Sequence, residues 1–271
     1  MIPMRTNTIL FVRVLLTGSI FLCTHFLLAA PKVSESGAPS GWSAKQYETV
    51  GSQLLKKKQF AESRKYFDAA IRLDPNLWAA YYNRAISYQM QENWPACIKD
   101  LDASIRLKPD VFEPRFIRSI TYRRVGNYAA SLQDLNVLVN TARHLENPGL
   151  EVLYLNDRAW VLATAPDASV RNGKSALVDA RRACDLSHWK RSDTLDSLAA
   201  AYAESGDFNS AIRYQQQAID LGKSNADEEQ QSKDAVLKKD LVAHTPARLK
   251  SFAQRIELYK QHHPYRDSPT K

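Results

Sequence analysis

The feature that most restricts what this chain can fold into is an internal period of 34 residues. "RLDPN" ends at Asn76 and "RLKPD" ends at Asp110, so Pro75 and Pro109 stand 34 residues apart. In that period residues 44–77, 78–111 and 112–145 align without gaps. Position 8 of each copy is small (Gly51, Ala85, Ser119), position 17 is aromatic (Phe60, Trp94, Tyr128) and position 20 is small again (Ser63, Cys97, Ser131). Position 11 carries Leu54, Tyr88 and Tyr122. A repeat of this length is one supersecondary unit that cannot bury its apolar face alone, so neighbours must stack to make a core. Small residues at 8 and 20 let two antiparallel helices approach closely, and the aromatic at 17 fills the space at their turn.

Two further copies follow. Residues 192–222 place Ala199 at position 8, Tyr202 at 11, Gly206-Asp207-Phe208 at the turn, Ala211 at 20 and Ala218 at 27. Residues 152–190 are a degenerate copy, with Ala159 at position 8 and Ala176 at position 20. Those two are 17 residues apart where 12 are expected, so "APDASVRNG" holds a five-residue insertion at the turn. Composition agrees with helices throughout. Glycines number 9 and prolines 12, Ala, Leu, Lys, Arg and Gln abound, and no Val/Ile/Thr-rich alternation suggests a strand. Repeats two to four also share arginine at position 7 (Arg84, Arg118, Arg158) and aspartate at position 23 (Asp100, Asp134, Asp179). In repeats one and five both change together, to Val50 with Tyr66 and Leu198 with Tyr214. The covariation predicts structural ion pairs, within a repeat or between neighbours.

This pattern resembles the tetratricopeptide repeat. The resemblance implies an all-α, right-handed superhelical stack of about five hairpins over 44–222. It also implies a concave groove lined by positions 2, 5, 6, 9, 12 and 13 of each first helix. Those positions offer Tyr82, Asn83, Ile86 and Met90 in repeat two. Repeat three supplies Phe116, Ile120, Arg123 and Arg124, and repeat four Asn156, Asp157 and Trp160. Such an apolar, partly aromatic strip suits an extended or helical peptide, with Asn83 and Asn156 bonding its backbone. The alternative is that these side chains pack on one another or under the C-terminal segment. A carboxylate clamp of the chaperone type would need a set of Lys, Arg and Asn where this chain has Glu48, Ser52, Asn83, Glu113 and Ile117; only Asn83 fits.

The half from Trp160 to Tyr265 is also similar to a C-terminal module of large exported bacterial tetratricopeptide families, through "LATAPD", "RNG", "RRACDLSHW", "LDSLAAAYAESGDF" and "RIELYKQHHPYR". Ala165 stands where that family tends to have cysteine. If that cysteine pairs with the equivalent of Cys184 in relatives, the bridge is lost here and Cys184 is a buried free thiol. The resemblance implies an exported helical scaffold without catalytic activity.

Residues 1–30 contain no acidic residue, place Arg5 and Arg13 early and run apolar from Val14 to Leu28. This is the layout of a secretory signal; the alternative is a membrane anchor retained through residues 9–30. Residues 31–43, rich in Ser, Gly and Pro, read as a flexible linker. Past the signal only Cys97 and Cys184 remain, too few for a disulfide framework. At the other end, 223–244 is a charged connector, helical or mobile. Residues 245–271 form a capping helix and an extended tail, with Thr245 as N-cap, Pro246 at the first helical position and Leu249, Phe252, Ile256 and Tyr259 as one apolar stripe.

Chemistry is sparse. No histidine pairs with His, Cys or carboxylate at ligand spacing on a predicted helix, "RNGK" lacks the second glycine and the hydroxyl of a phosphate loop, and no G-x-S-x-G occurs. No enzyme, cofactor, structural metal or small-molecule substrate is expected. The expected partner is a protein or peptide. Two rival readings stand beside it: an enzyme accessory or weak metal binder using His262 and His263, and a nucleic-acid or lipid-surface binder using Lys56-Lys57-Lys58 and Lys238-Lys239. The net charge of +8 is modest once Arg5 and Arg13 are set aside, which favours solvated helix faces over a nucleic-acid footprint.

Overall fold

The computed structural model describes residues 41–231 and 235–269, without the side chains of 226–245; residues 1–30, expected to be a secretory signal or anchor, and residues 31–40 of the expected linker lie outside the described residues. All the described regular structure is helical: α1 (Ala44–Lys56), α2 (Phe60–Leu73), α3 (Trp78–Gln89), α4 (Trp94–Leu107), α5 (Glu113–Arg124), α6 (Tyr128–His144), α7 (Pro148–Thr164), α8 (Gly173–Leu186), α9 (Ser192–Glu204), α10 (Phe208–Gln231) and α11 (Ala235–Lys260). Successive pairs from α1/α2 to α9/α10 follow the repeat register read from the sequence.

The turns explain why each hairpin closes where it does. Position 15 is left-handed in four repeats: Lys58 (φ 62°), Glu92 (φ 58°), Gly126 (φ 83°) and Gly206 (φ 85°). Glycine adopts this conformation without penalty at Gly126 and Gly206, whereas Lys58 and Glu92 bear its cost. Position 16 then caps the second helix. The side chains of Asn93, Asn127, Asn172 and Asp207 accept the backbone N–H of Ala96, Ala130, Ser175 and Ser210. Each such cap contributes about 1 kcal/mol. Ser43 and Gln46 form a capping box at the start of α1.

The small positions do what the spacing predicts. Gly51, Ala85, Ser119, Ala159 and Ala199 at position 8 are all buried, as are Ser63, Cys97, Ser131, Ala176 and Ala211 at position 20. At Gly51 a Cβ would stand 2.6 Å from Cε1 of Phe67, whose ring is fully buried. Gly51→Val is therefore expected to destabilise the first hairpin by about 1–3 kcal/mol through overpacking. A lower urea midpoint with retained helicity would be the measured sign.

The chain divides between Val125 and Gly126 into two compact units, so among the described residues α1–α5 make one and α6–α11 the other. Within the first, Tyr47, Leu54, Tyr66, Ala69, Ala70 and Ala80 form one apolar cluster. Arg84 grips Asp100 of its own repeat through Nε and Nη2, both at 2.7 Å, and reaches Asp68 of the preceding repeat at 2.6 Å. Arg118 likewise reaches back to Asp102 at 2.6 Å. In the second unit Arg158 holds Asp179 through two bonds of 2.7 and 2.8 Å and reaches back to Asn136 at 3.1 Å. The expected ion pairs are present at Arg84 and Arg158. Their backward acceptors Asp68, Asp102 and Asn136 all occupy position 25, so in repeats two and four one arginine ties its own second helix to the one before. Bidentate geometry in a half-buried setting is the form in which such a pair contributes most to register.

One boundary differs from the sequence expectation. The stretch 223–244, expected as a helical or mobile connector, is helical in its described parts, where α10 continues to Gln231 and α11 starts at Ala235. Its Ala, Glu, Gln, Lys and Leu content favours helix, which extends both neighbours into it. For the same reason Thr245 is not an N-cap and Pro246 lies inside α11 instead of at its start. The apolar stripe below it is buried as a unit. Phe252 and Ile256 enter one cluster with Ala159, Ala180, Leu195, Leu198 and Ala218, with Leu249 partly buried against them.

Candidate functional site

In the first unit the first-helix face comprises α1, α3 and α5. Tyr82 is partly exposed, its ring 6.4 Å from that of Trp78. Burial pushes its phenol well above the ordinary value, and the Glu113 carboxylate adds to the rise. Burial likewise raises the Glu113 carboxyl. Met90 is exposed and Arg124 partly so. Ile86, Phe116, Ile120 and Arg123 are buried, none more than 6% exposed. They belong to the interior, correcting the expectation that they present an open strip: apolar side chains at positions 5 and 9 gain more from being covered than from facing water. Asn83 does not offer its amide to a ligand backbone. Its Nδ2 donates to Glu48 Oε1 at 2.7 Å and to Ser52 Oγ at 3.2 Å, while Ser52 donates to the same carboxylate at 2.8 Å. A polar group at this depth must have partners, and the neighbouring repeat supplies them.

The second unit repeats that arrangement. Asn156 is buried, and its Oδ1 accepts from Ser197 Oγ at 2.7 Å. Both links join position 5 of one repeat to position 6 of the next, a pairing legible in the sequence only once the register is known. Trp160 is also buried, against the C-terminal segment. The Tyr265 ring lies 5.6 Å from the Trp160 ring, and the Arg255 guanidinium sits 5.3 Å from Trp160 and 5.2 Å from both Phe252 and Tyr265. Arg255 Nε donates to Asp196 Oδ1 at 2.8 Å, and Gln215 Nε2 donates to the same oxygen at 3.0 Å. The Arg255 and Asp196 side chains are only 3% and 0% exposed.

Beyond α11 the chain leaves the helix and crosses positions 12 and 13 of repeats four and five. The Asp267 N–H donates to the Thr164 carbonyl at 2.8 Å, Arg266 Nη1 donates to the Ala163 carbonyl at 3.4 Å, and Arg266 Nη2 lies 2.7 Å from Glu204 Oε2. Tyr265 shares a cluster with Ala200, Ala203 and Tyr259. Of the two sequence expectations for Trp160, an open face or packing under the C-terminal segment, the second holds, while Asn156 is paired to Ser197 of the next repeat.

The remaining candidates fall outside any shared site. His262 stacks on Phe208 at 5.0 Å, and His263 is exposed. Among the described residues no group of three His, Cys, Asp or Glu side chains could hold a metal ion. Burial pushes the Cys97 thiol up to about 12 and the Cys184 thiol up to about 11, with Thr121 and Thr194 acting the other way. Both are free thiols. Lys56, Lys57 and Lys58 are exposed, and the side chains of Lys238 and Lys239 lie outside the described residues. No helix among the described residues is long and apolar enough to cross a membrane.

Tetratricopeptide-repeat models match residues 47–77 and 191–224, the first and last repeats of the register. The fold is similar to that of a tetratricopeptide repeat protein from Parabacteroides merdae, with a TM-score of 0.58 at 16% identity over 83% of this chain and 82% of that one. It is also similar to YrrB, a repeat protein with an unusual peptide-binding site (TM-score 0.56, 15% identity, 72% and 90% covered). MamA from Desulfovibrio magneticus RS-1 gives a TM-score of 0.55 at 16% identity, with 69% and 98% covered. No curated protein matches the chain. The chain thus carries tetratricopeptide repeats and folds as an all-helical stack of their hairpins.

Proposed function

We propose that this protein is an exported, non-enzymatic scaffold that holds a segment of another protein on the first-helix face of its repeats. The carrying observation is that positions 9, 12 and 13 of repeat four and position 13 of repeat five accept a non-helical stretch of chain, residues 265–267, through an aromatic contact, a main-chain bond, an arginine–carbonyl bond and an ion pair. Residues spaced as these are make a surface that reads main chain and side chain together, the mode by which repeat faces and sheet edges take peptides. The peptide-binding site of YrrB is in keeping with this use of the fold. In the first unit Tyr82 and Met90 are face residues within reach of a partner, and Arg124, partly exposed at the end of α5, adds a charge. The signal-like residues 1–30 support export.

A photo-crosslinking residue placed at Tyr82 or at Met90 of the full chain in its native host is expected to capture one and the same neighbour. The same residue at Val178, which is 69% exposed on the second-helix side, serves as the control. Capture at Val178 with none at Tyr82 and Met90 overturns the assignment of the face.

A further inference from the structure

Most of the polar and reactive groups away from the repeat face are accounted for by packing. The Glu48–Ser52–Asn83 group satisfies itself, the two thiols are buried beside Thr121 and Thr194, and the stacked rings of Tyr202 and Tyr214 pack against the core. The last nine described residues are different, because this tail touches the face as a ligand would. The contacts of residues 265–267 fall on positions that the repeat leaves for a partner: Trp160 at 9, Ala163 and Thr164 at 12 and 13, and Glu204 at 13 of the next repeat. Burial alternates along it, Tyr265 and Asp267 being buried, Arg266 partly so and Ser268 and Pro269 exposed. The body of α11, by contrast, is fixed by the inaccessible Arg255–Asp196 pair and by Phe252 and Ile256. The segment therefore has two parts, a helix integral to the core and a non-helical tail bonded to the repeats through the Asp267 N–H and the Arg266 guanidinium.

We propose that the tail is a ligand held in cis: the face built from Trp160, Thr164 and Glu204 is a peptide site for an aromatic–arginine sequence, closed by the protein's own Tyr265-Arg266-Asp267 until a partner segment of that chemistry displaces it. The specificity follows from the contacts. Trp160 takes an aromatic ring, and Glu204, which also pairs with Arg171 at 2.9 Å, takes the arginine. The Thr164 carbonyl takes a main-chain N–H. A cis ligand also lowers the apparent affinity for any partner by the fraction of chains in which the site is closed. This inference rests on the reading of the first-helix face given above.

The probe is a fluorescent peptide of residues 262–269, HHPYRDSP, titrated by anisotropy against the full chain and against its Tyr265→Ala/Arg266→Ala variant. The variant is expected to bind at least about tenfold more tightly than the unaltered chain, and adding Glu204→Gln is expected to remove that gain. Equal or absent binding by both chains, with helicity retained, overturns the proposal. Amide exchange in the unaltered chain provides a test that needs no substitution. The Asp267 N–H is expected to exchange at least about a hundredfold faster than the Ala199–Ala201 amides of α9. Equal protection makes the tail an integral part of the fold and overturns the proposal, as does a concentration-dependent dimer in which the tail of a second copy fills the face. A partner crosslinked at Tyr82 while Asp267 stays protected overturns this inference alone and leaves the scaffold reading standing.

Discussion

Asp196→Ala is expected to destabilise the second unit by about 3–5 kcal/mol, because it strands a buried charge. Asp196 is wholly buried and accepts two bonds, from Arg255 at 2.8 Å and from Gln215 at 3.0 Å. Removing it leaves a guanidinium charge enclosed by the rings of Trp160, Phe252 and Tyr265, with its nearest anion gone. Those rings contribute cation–π attraction, which is smaller than the loss and does not restore the missing acceptor. The measurement is amide exchange in α9, where protection should fall by roughly a hundredfold or more. The companion variant Asp196→Leu/Arg255→Met removes both charges at once and should recover most of the stability, because an apolar pair of similar volume does not leave an ion stranded. Failure of the double variant to recover would mean that Gln215, left without its acceptor, carries more of the cost than the arginine.

Trp160→Ala carries an expected effect of similar size, about 3–5 kcal/mol, in the range of large aromatic truncations in a packed core. The ring is 2% exposed, lies tilted against Tyr265 and sits beneath Arg255. An indole on an open face would behave otherwise: its truncation would change stability by no more than about 0.5 kcal/mol. Thermal or urea unfolding of the full chain therefore separates the two descriptions directly. Coupling adds a second check. Trp160→Ala and Arg255→Met should be non-additive, since the two side chains are in contact. If the two changes add, Trp160 is stabilised by the Ala163 and Ala203 side of its cluster and not by the C-terminal segment.

These effects fall in the second unit because it is there that a segment from outside the repeats packs into the repeat face. The same position types behave differently in the first unit. Position 5 is Tyr82 in one repeat, part-buried beside Glu113, and Asp196 in another, paired to an arginine far along the chain. A shared register fixes where a side chain points, while its neighbours fix what it does there.

What the sequence determined alone was the register. The 34-residue period, the small residues at 8 and 20 and the aromatic at 17 follow from local packing within one hairpin, which repeats whenever the hairpin repeats. Because those constraints are short-range, the arginine–aspartate pairs at positions 7 and 23 were also visible as covariation. Their second acceptors at position 25 leave no such trace, since Asp68, Asp102 and Asn136 differ in type. Tertiary structure alone decided which face residues are open. Ile86, Phe116, Ile120 and Trp160 satisfy the groove pattern and are nonetheless buried. Burial depends on what else reaches the same surface, and for Trp160 that is a segment far downstream whose destination no local rule specifies. Helix propensity carried α10 and α11 through the charged stretch. The Arg255–Asp196 pair then brought α11 and the tail behind it onto the face of repeats four and five, a contact set by long-range complementarity and not by anything periodic in the chain.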